Sequence, residues 1–186
     1  MNHIHINWTK IHETQPWYDV IDVPTPEKTV GCWDFVNFTF TEGGSSLKFT
    51  TKEFKSGEEH DLHLQRNEND CNYHIQNSNK RQLKQIYQEF NQVQSVSTSI
   101  QDINVEAQQN LEAGFSFITD YQNYFIIINC LEKDWTAFVK ARTRQITALQ
   151  LQMISDALVN RGFYSPIMTL KNLCVHTKDQ SDLGIV

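Results

Sequence analysis

The chain has 186 residues, 39% of them hydrophobic, with 22 acidic residues against 16 basic ones and a formal net charge of −6. That length suits one domain with its own core and cramps two. The acidic balance lacks the basic footprint that displaces phosphate counterions, which excludes a nucleic-acid partner, and no apolar run approaches the roughly 18 residues of a transmembrane helix.

Residues 1–14 read as an N-terminal arm. The first twenty residues are polar and hold His3, His5 and His12, so they do not read as a signal peptide and fit a mature chain restarted at Met1. The three histidines read as exposed side chains, and no metal is expected. Trp17 to Ile21 is a short strand, and Pro24 and Pro26 punctuate the loop after it. Residues 30–40 are rich in aromatic and β-branched types. The Thr41 to Ser46 cluster breaks this run before Leu47 to Phe54 resumes it, the signature of a β-hairpin.

From about Glu58 to Gln109 the chain is dense in Gln, Asn and Ser. Leu83, Ile86, Tyr87 and Phe90 fall at helical spacing while Val93 to Val105 reads as extended, and strands are the reading taken for this region. His60 and His63 then point to opposite faces, which argues against joint metal ligation. Phe115 to Tyr121 and Tyr124 to Cys130 form the next two strands, with Gln122 and Asn123 at the turn. Trp135 to Arg142 follows as a third. The period then changes to that of a helix over about 147–161. Leu151, Ile154, Ala157 and Leu158 share its apolar face, Thr147 and Gln150 form a capping box, and Arg161-Gly162 ends it. A short arm from Ile167 to Cys174 and a polar tail over 176–186 finish the chain.

Many short strands, one late helix and a returning arm suggest an all-β antiparallel barrel with the helix packed outside. Thr119-Asp120-Tyr121-Gln122-Asn123-Tyr124, then apolar residues and Cys130, resembles the T-D-Y-x-N-Y turn of the lipocalins and the strand that follows it. Arg142-Thr143 is similar to the family's arginine element after the last strand, and Trp17-Tyr18-Asp19 to its G-x-W-Y-E opening, with Gln15 where the motif glycine would stand. Gly31-Cys32 and the Glu42-Gly43-Gly44 break resemble its second strand. The likeness spans Trp17 to Cys174 and is nearest to arthropod-type members around apolipoprotein D, the bilin-binding proteins and the cockroach lipocalin allergen.

The resemblance implies an eight-stranded up-and-down β-barrel over residues 15–175, with Trp17 under the Arg142 guanidinium at the closed end and Thr119, Asp120 and Tyr121 as structural motif residues. It also implies a Cys32–Cys174 disulfide. Cys130 lacks the family's usual N-terminal partner, so either Cys71 has become that partner, the pairing taken here, or Cys71 is a free thiol. The widely spaced cysteines and the sequons at Asn7 and Asn37 favour a secreted, disulfide-bonded glycoprotein.

Strand alternation then sorts the candidate ligand contacts. With Arg142 inward, Lys140, Phe138 and Thr136 face in, while Ala141, Val139 and Ala137 pack under the helix. With Cys130 outward, Asn129, Ile127 and Phe125 face in. Opposite Cys32, Trp33 and Phe35 face in. Asn37 would do the same, so either its sequon is unused or a bulge shifts the register. The cup so lined has Lys140 as a polar anchor, and a lysine there must be paired or depressed in pKa. The alternative is that these side chains simply fill the core.

No nucleophile elbow, zinc-protease, P-loop or dinucleotide fingerprint is present, so no enzyme activity is expected. The reading is an extracellular carrier or scavenger, monomeric or weakly dimeric, of a small hydrophobic molecule: a pigment, lipid, sterol, pheromone or biogenic amine. It would hold no covalent cofactor, a tetrapyrrole or carotenoid being one candidate ligand. A filled barrel that binds a protein partner is the alternative.

Overall fold

The computed structural model describes residues 6–23, 32–68, 72–76, 79–81, 112–131, 134–165 and 167. A short helix, α1 (Trp8–Glu13), precedes eight strands: β1 (Tyr18–Val23), β2 (Trp33–Phe40), β3 (Ser46–Glu53), β4 (Glu59–Arg66), β5 (Tyr73–Ile75), β6 (Gly114–Thr119), β7 (Phe125–Leu131) and β8 (Asp134–Ala141). Helix α2 (Ala148–Val159) follows. All pairings are antiparallel, in the order β1-β8-β7-β6-β5-β4-β3-β2. This is the up-and-down sheet that the sequence predicts.

The curled sheet separates two cores. Its inner face gathers Trp17, Phe35, Phe38, Leu47, Phe49, Leu64, Phe117, Phe125 and Ile127. Its outer face presents Val20, Ile21, Val23, Ile118, Ile126, Ile128, Ala137, Val139 and Ala141 to Ile154 and Leu158 of α2. Because β7 is covered on both sides, Phe125 to Ile128 are all buried, so the strand reads as an unbroken apolar run rather than an alternation. Helix α2 starts at the predicted capping box. It stops where Gly162 takes φ +83°, which lets Phe163 N–H reach the Leu158 carbonyl at 3.0 Å.

Closure departs from the expected barrel. Strands β1 and β2 meet at one antiparallel bridge, Trp17 to Phe35, with N–H···O distances of 2.9 and 2.8 Å, and among the described residues no ladder extends it. Side chains take the ladder's place. Asp34 Oδ1 accepts from Asp19 N–H at 2.9 Å, and Asp19 Oδ2 accepts from Trp33 N–H at 3.1 Å. A carboxylate set between two strands satisfies the amide and keeps the backbones apart.

Two further expectations are corrected. Residues 6–14 are not a free arm: Asn7 caps α1 through its side-chain oxygen, and Ile6, Trp8 and Ile11 are buried in the inner core. The apolar side chains at positions 8 and 11 share one face of the helix, and burying them outweighs the polarity of their neighbours. Within the polar middle region, β4 and β5 are strands as expected, but residues 79–81 are helical. There Asn79 accepts from His63 N–H at 3.1 Å and donates to the Asp61 carbonyl at 2.9 Å, doing for β4 what the three-residue β5 is too short to do. Positions 83–105, where helix and strand compete in the sequence, lie outside the described residues.

Candidate functional site

The inner face has a packed floor. Trp8 of α1 meets Phe38, Tyr73 and Phe117 at ring separations of 5.6, 5.7 and 5.3 Å. Above it Phe35 lies 4.5 Å from Phe49, and Phe117 stacks on Phe125 at 5.6 Å. The Tyr73 hydroxyl donates to the Gly44 carbonyl at 2.6 Å. Gly44 has φ +68°, and a Cβ there would overlap the Trp8 indole, so glycine is required twice over at this position.

The floor is held from below by three motif elements. The Arg142 guanidinium lies 5.4 Å from the Trp17 ring and donates to the Pro16 carbonyl at 2.7 Å, the contact that the resemblance implies. Asp120 accepts from the backbone N–H groups of Gln122, Asn123 and Tyr124 at 3.0, 2.7 and 3.1 Å and from the Asn123 amide at 2.7 Å. Partial burial raises its pKa, but these hydrogen bonds prevail and hold the carboxyl below its usual range. Tyr121, at φ +65°, turns its hydroxyl to accept from Asn7 N–H at 2.9 Å, which fastens the start of α1.

The predicted wall residues divide between floor and cup. Phe125 has 0% of its surface exposed and Phe35 5%; both belong to the aromatic floor, Phe125 lying 5.9 Å from the Trp17 ring and 6.3 Å from Phe35. Ile127 is buried in the same core. Asn129 and Thr136 stand opposite each other in the β7–β8 register, Asn129 buried and Thr136 half-buried. Phe138 is half-buried against the inner core, as is Leu62 across the sheet. Trp33 is also half-buried and packs on His60 at 5.5 Å. The bulge between Phe35 and Asn37 turns Asn37 outward, where it is exposed, so of the two readings of that sequon the bulge is the one observed. Cys71, Cys174 and the side chain of Cys130 lie outside the described residues, and both expected disulfides with them.

Lys140 does face inward, 3% exposed, and it is paired. Its ammonium donates to Asp19 Oδ1 at 2.7 Å and to the Trp33 carbonyl at 2.8 Å, and lies 5.1 Å from the Phe35 ring. The partner was not singled out in the sequence, although a carboxyl in an apolar strand is the natural complement of a lysine in another. Burial raises the Asp19 pKa above its usual range, and Lys140 opposes the rise. Asp34 is paired with Arg144, whose guanidinium lies 3.9 Å from the Phe54 ring, so the seam between β1 and β2 is pinned by two ion pairs.

Asp22 completes the cluster. The register runs Asp19 to Lys140, Ile21 to Val139, Asp22 to Phe138 and Val23 to Ala137, with a bulge between Asp19 and Ile21. Ile21 and Val23 belong to the outer core, so the bulge turns Asp22 to the inside. It is 7% exposed and its Oδ1 has no hydrogen-bond partner. Burial first, and then the charge of Asp19, push its pKa up to about 7 against the pull of Lys140.

Among the described residues no group of three or more histidine, cysteine or acidic side chains is gathered to hold a metal, and no helix is long and apolar enough to cross a membrane. No family model and no curated protein matches the sequence. Solved structures do. One named Odorant Binding Protein OBP1 is similar with a TM-score of 0.52 at 10% identity, over 93% of this chain and 98% of that one. The allergen Per a 4 from cockroaches is similar at 0.47 and 12% identity, over 87% and 84% of the two chains. The siderocalin Ex-FABP, described as having dual ligand specificities, is similar at 0.47 and 12%, over 80% and 85%. The strand order, the helix packed on the outer face and the near-complete overlap with the odorant-binding structure give one conclusion: this chain has the lipocalin fold.

Proposed function

We propose that the protein is an extracellular carrier that holds a small hydrophobic molecule in the cup above the aromatic floor, and that it works by binding rather than by catalysis. The observation that carries this reading is the half-burial of Phe138, Leu62 and Trp33 on the inner face. Apolar side chains pointing into a barrel yet retaining exposed surface mark where a ligand would be desolvated. The similar structure named for odorant binding supports the same use of the fold. Thr136, Asn129 and Ile127 complete the proposed wall. A non-covalent pigment such as a tetrapyrrole or carotenoid is one ligand of suitable character. Secretion is supported by the exposure of both sequon asparagines, Asn7 and Asn37. The pairings proposed are Cys32–Cys174 and Cys71–Cys130.

The test is a fluorescence titration with the apolar probe N-phenylnaphthylamine, comparing the wild type with Phe138→Arg. The wild type takes up the probe, and the variant loses at least about tenfold in affinity while its circular dichroism is unchanged. A wild-type protein that excludes every apolar probe would instead support the second reading, a filled barrel serving as a protein-interaction module, which the solid aromatic floor favours.

A further inference from the structure

The inner face is not uniformly apolar: among the described residues one patch of it holds more carboxyl groups than cations. Two carboxyl groups, Asp19 and Asp22, stand against one cation, Lys140, while Asp34 in the seam between β1 and β2 has its own in Arg144. Arg144 is taken by Asp34, with a second contact of 3.1 Å. Lys140 is taken by Asp19 and the Trp33 carbonyl. Asp19 spends its other oxygen on the Trp33 amide. That leaves Asp22, more than nine-tenths buried, turned inward by the β1 bulge, with Oδ1 unpartnered, beside the half-buried ring of Phe138.

We propose that the cup selects ligands that join an apolar body to a protonated amine, with Asp22 receiving the ammonium group and Phe138 contacting the body next to it. The proposal rests on the carrier reading above and narrows it. A buried acceptor without a donor is costly in the empty protein, and an ammonium supplies both a donor and the missing charge. The water around the carboxyl is already removed by the fold, so binding strips only the amine. A carboxylate-headed ligand such as a fatty acid has no counterpart here: Lys140 has its partners, and Asp19 and Asp22 would repel it. A neutral alcohol could donate one hydrogen bond but brings no charge.

Burial and the neighbouring Asp19 charge hold Asp22 in a range where it titrates near pH 7, which supplies an independent handle on the same group. Among the described residues the charged groups acting on it are Asp19 on its own strand and Lys140 on β8, while its direct partner across the pair is the uncharged Phe138. Below that range Asp22 is neutral and Lys140 remains, so an ammonium is no longer favoured.

The experiment is calorimetric titration of the full chain with n-decylamine, n-decanol and n-decanoate at about pH 8 and about pH 5, on the wild type and Asp22→Asn. At the higher pH the amine binds the wild type at least about tenfold more tightly than the alcohol, and the carboxylate most weakly. Asp22→Asn brings the amine down to the alcohol without moving the alcohol, and the lower pH does the same to the wild type with no substitution at all. Equal affinities for amine and alcohol in the wild type, or an amine preference that survives both Asp22→Asn and low pH, overturns the amine assignment and leaves the carrier reading standing. Failure of all three compounds to bind overturns the carrier reading itself, and the amine assignment with it.

Discussion

Asp22→Asn changes a charge and almost no shape, which makes it a clean probe of the inner face. In the folded chain the carboxyl titrates at about 7, against 3.8 for an unperturbed aspartate. Below pH 4 both folded and unfolded chains hold the proton. Between the two values the folded chain still holds it while the unfolded chain has released it, so the folded state binds more protons and stability falls as pH rises through that window. Above pH 7 the penalty is complete. A displacement of about three units corresponds to roughly 4 kcal/mol, less whatever the asparagine amide loses for want of its own partners, leaving a gain of about 2–4 kcal/mol for the variant at pH 8. Urea unfolding at pH 4 and pH 8, with the slope held in common, reads this directly. The variant should unfold at higher urea than the wild type at pH 8 and at nearly the same urea at pH 4. A gap at pH 8 below about 1 kcal/mol, or one of the same size at both pH values, would refute the inward, unpaired placement of Asp22.

The remaining predictions concern the elements that shape the cup. Lys140→Met strips Asp19 of its counter-charge and should cost about 3–5 kcal/mol at neutral pH, with Asp19→Asn in the same chain recovering a good part of it in a double-mutant cycle. Gly44→Ala forces a side chain into the left-handed region and against Trp8, and should cost about 1–3 kcal/mol by thermal unfolding. Asp120 has a lowered folded pKa, so its contribution is present above the ordinary carboxylate range and disappears as pH falls through the folded value. Asp120→Asn should therefore destabilise by about 1 kcal/mol at pH 7 and by less at pH 3, measured by denaturant unfolding.

The strands were legible wherever composition and alternation agree, as in β2, β3, β6, β7 and β8, and α2 was legible from its cap to its glycine stop. Those features are local: turn chemistry, propensity and one-face burial are all written within a few residues. What escaped depends on partners far along the chain. Trp8 and Ile11 look like stray apolar residues in a polar arm until Phe38, Tyr73 and Phe117 are there to receive them. Alternation turns Lys140 inward because β8 runs without a bulge, whereas one extra residue in β1 reverses every direction beyond it, so a count from Trp17 would turn Asp22 outward. Phe35 and Phe125 do face inward as parity requires, yet parity cannot tell a floor from a wall, since depth in a barrel is decided by what plugs its end.

That plug sets an order of events as well as a shape. Asn7 is bound by Tyr121, 114 positions later, and Trp8 rests on a ring from β6. The Trp8 ring therefore lacks part of its packing until β5 and β6 are in place. Bringing such distant positions together is slow compared with forming a local hairpin, so the sealing of the base belongs to the last stage of folding, and a nascent chain halted before β6 would present that tryptophan to whatever apolar surface it met first.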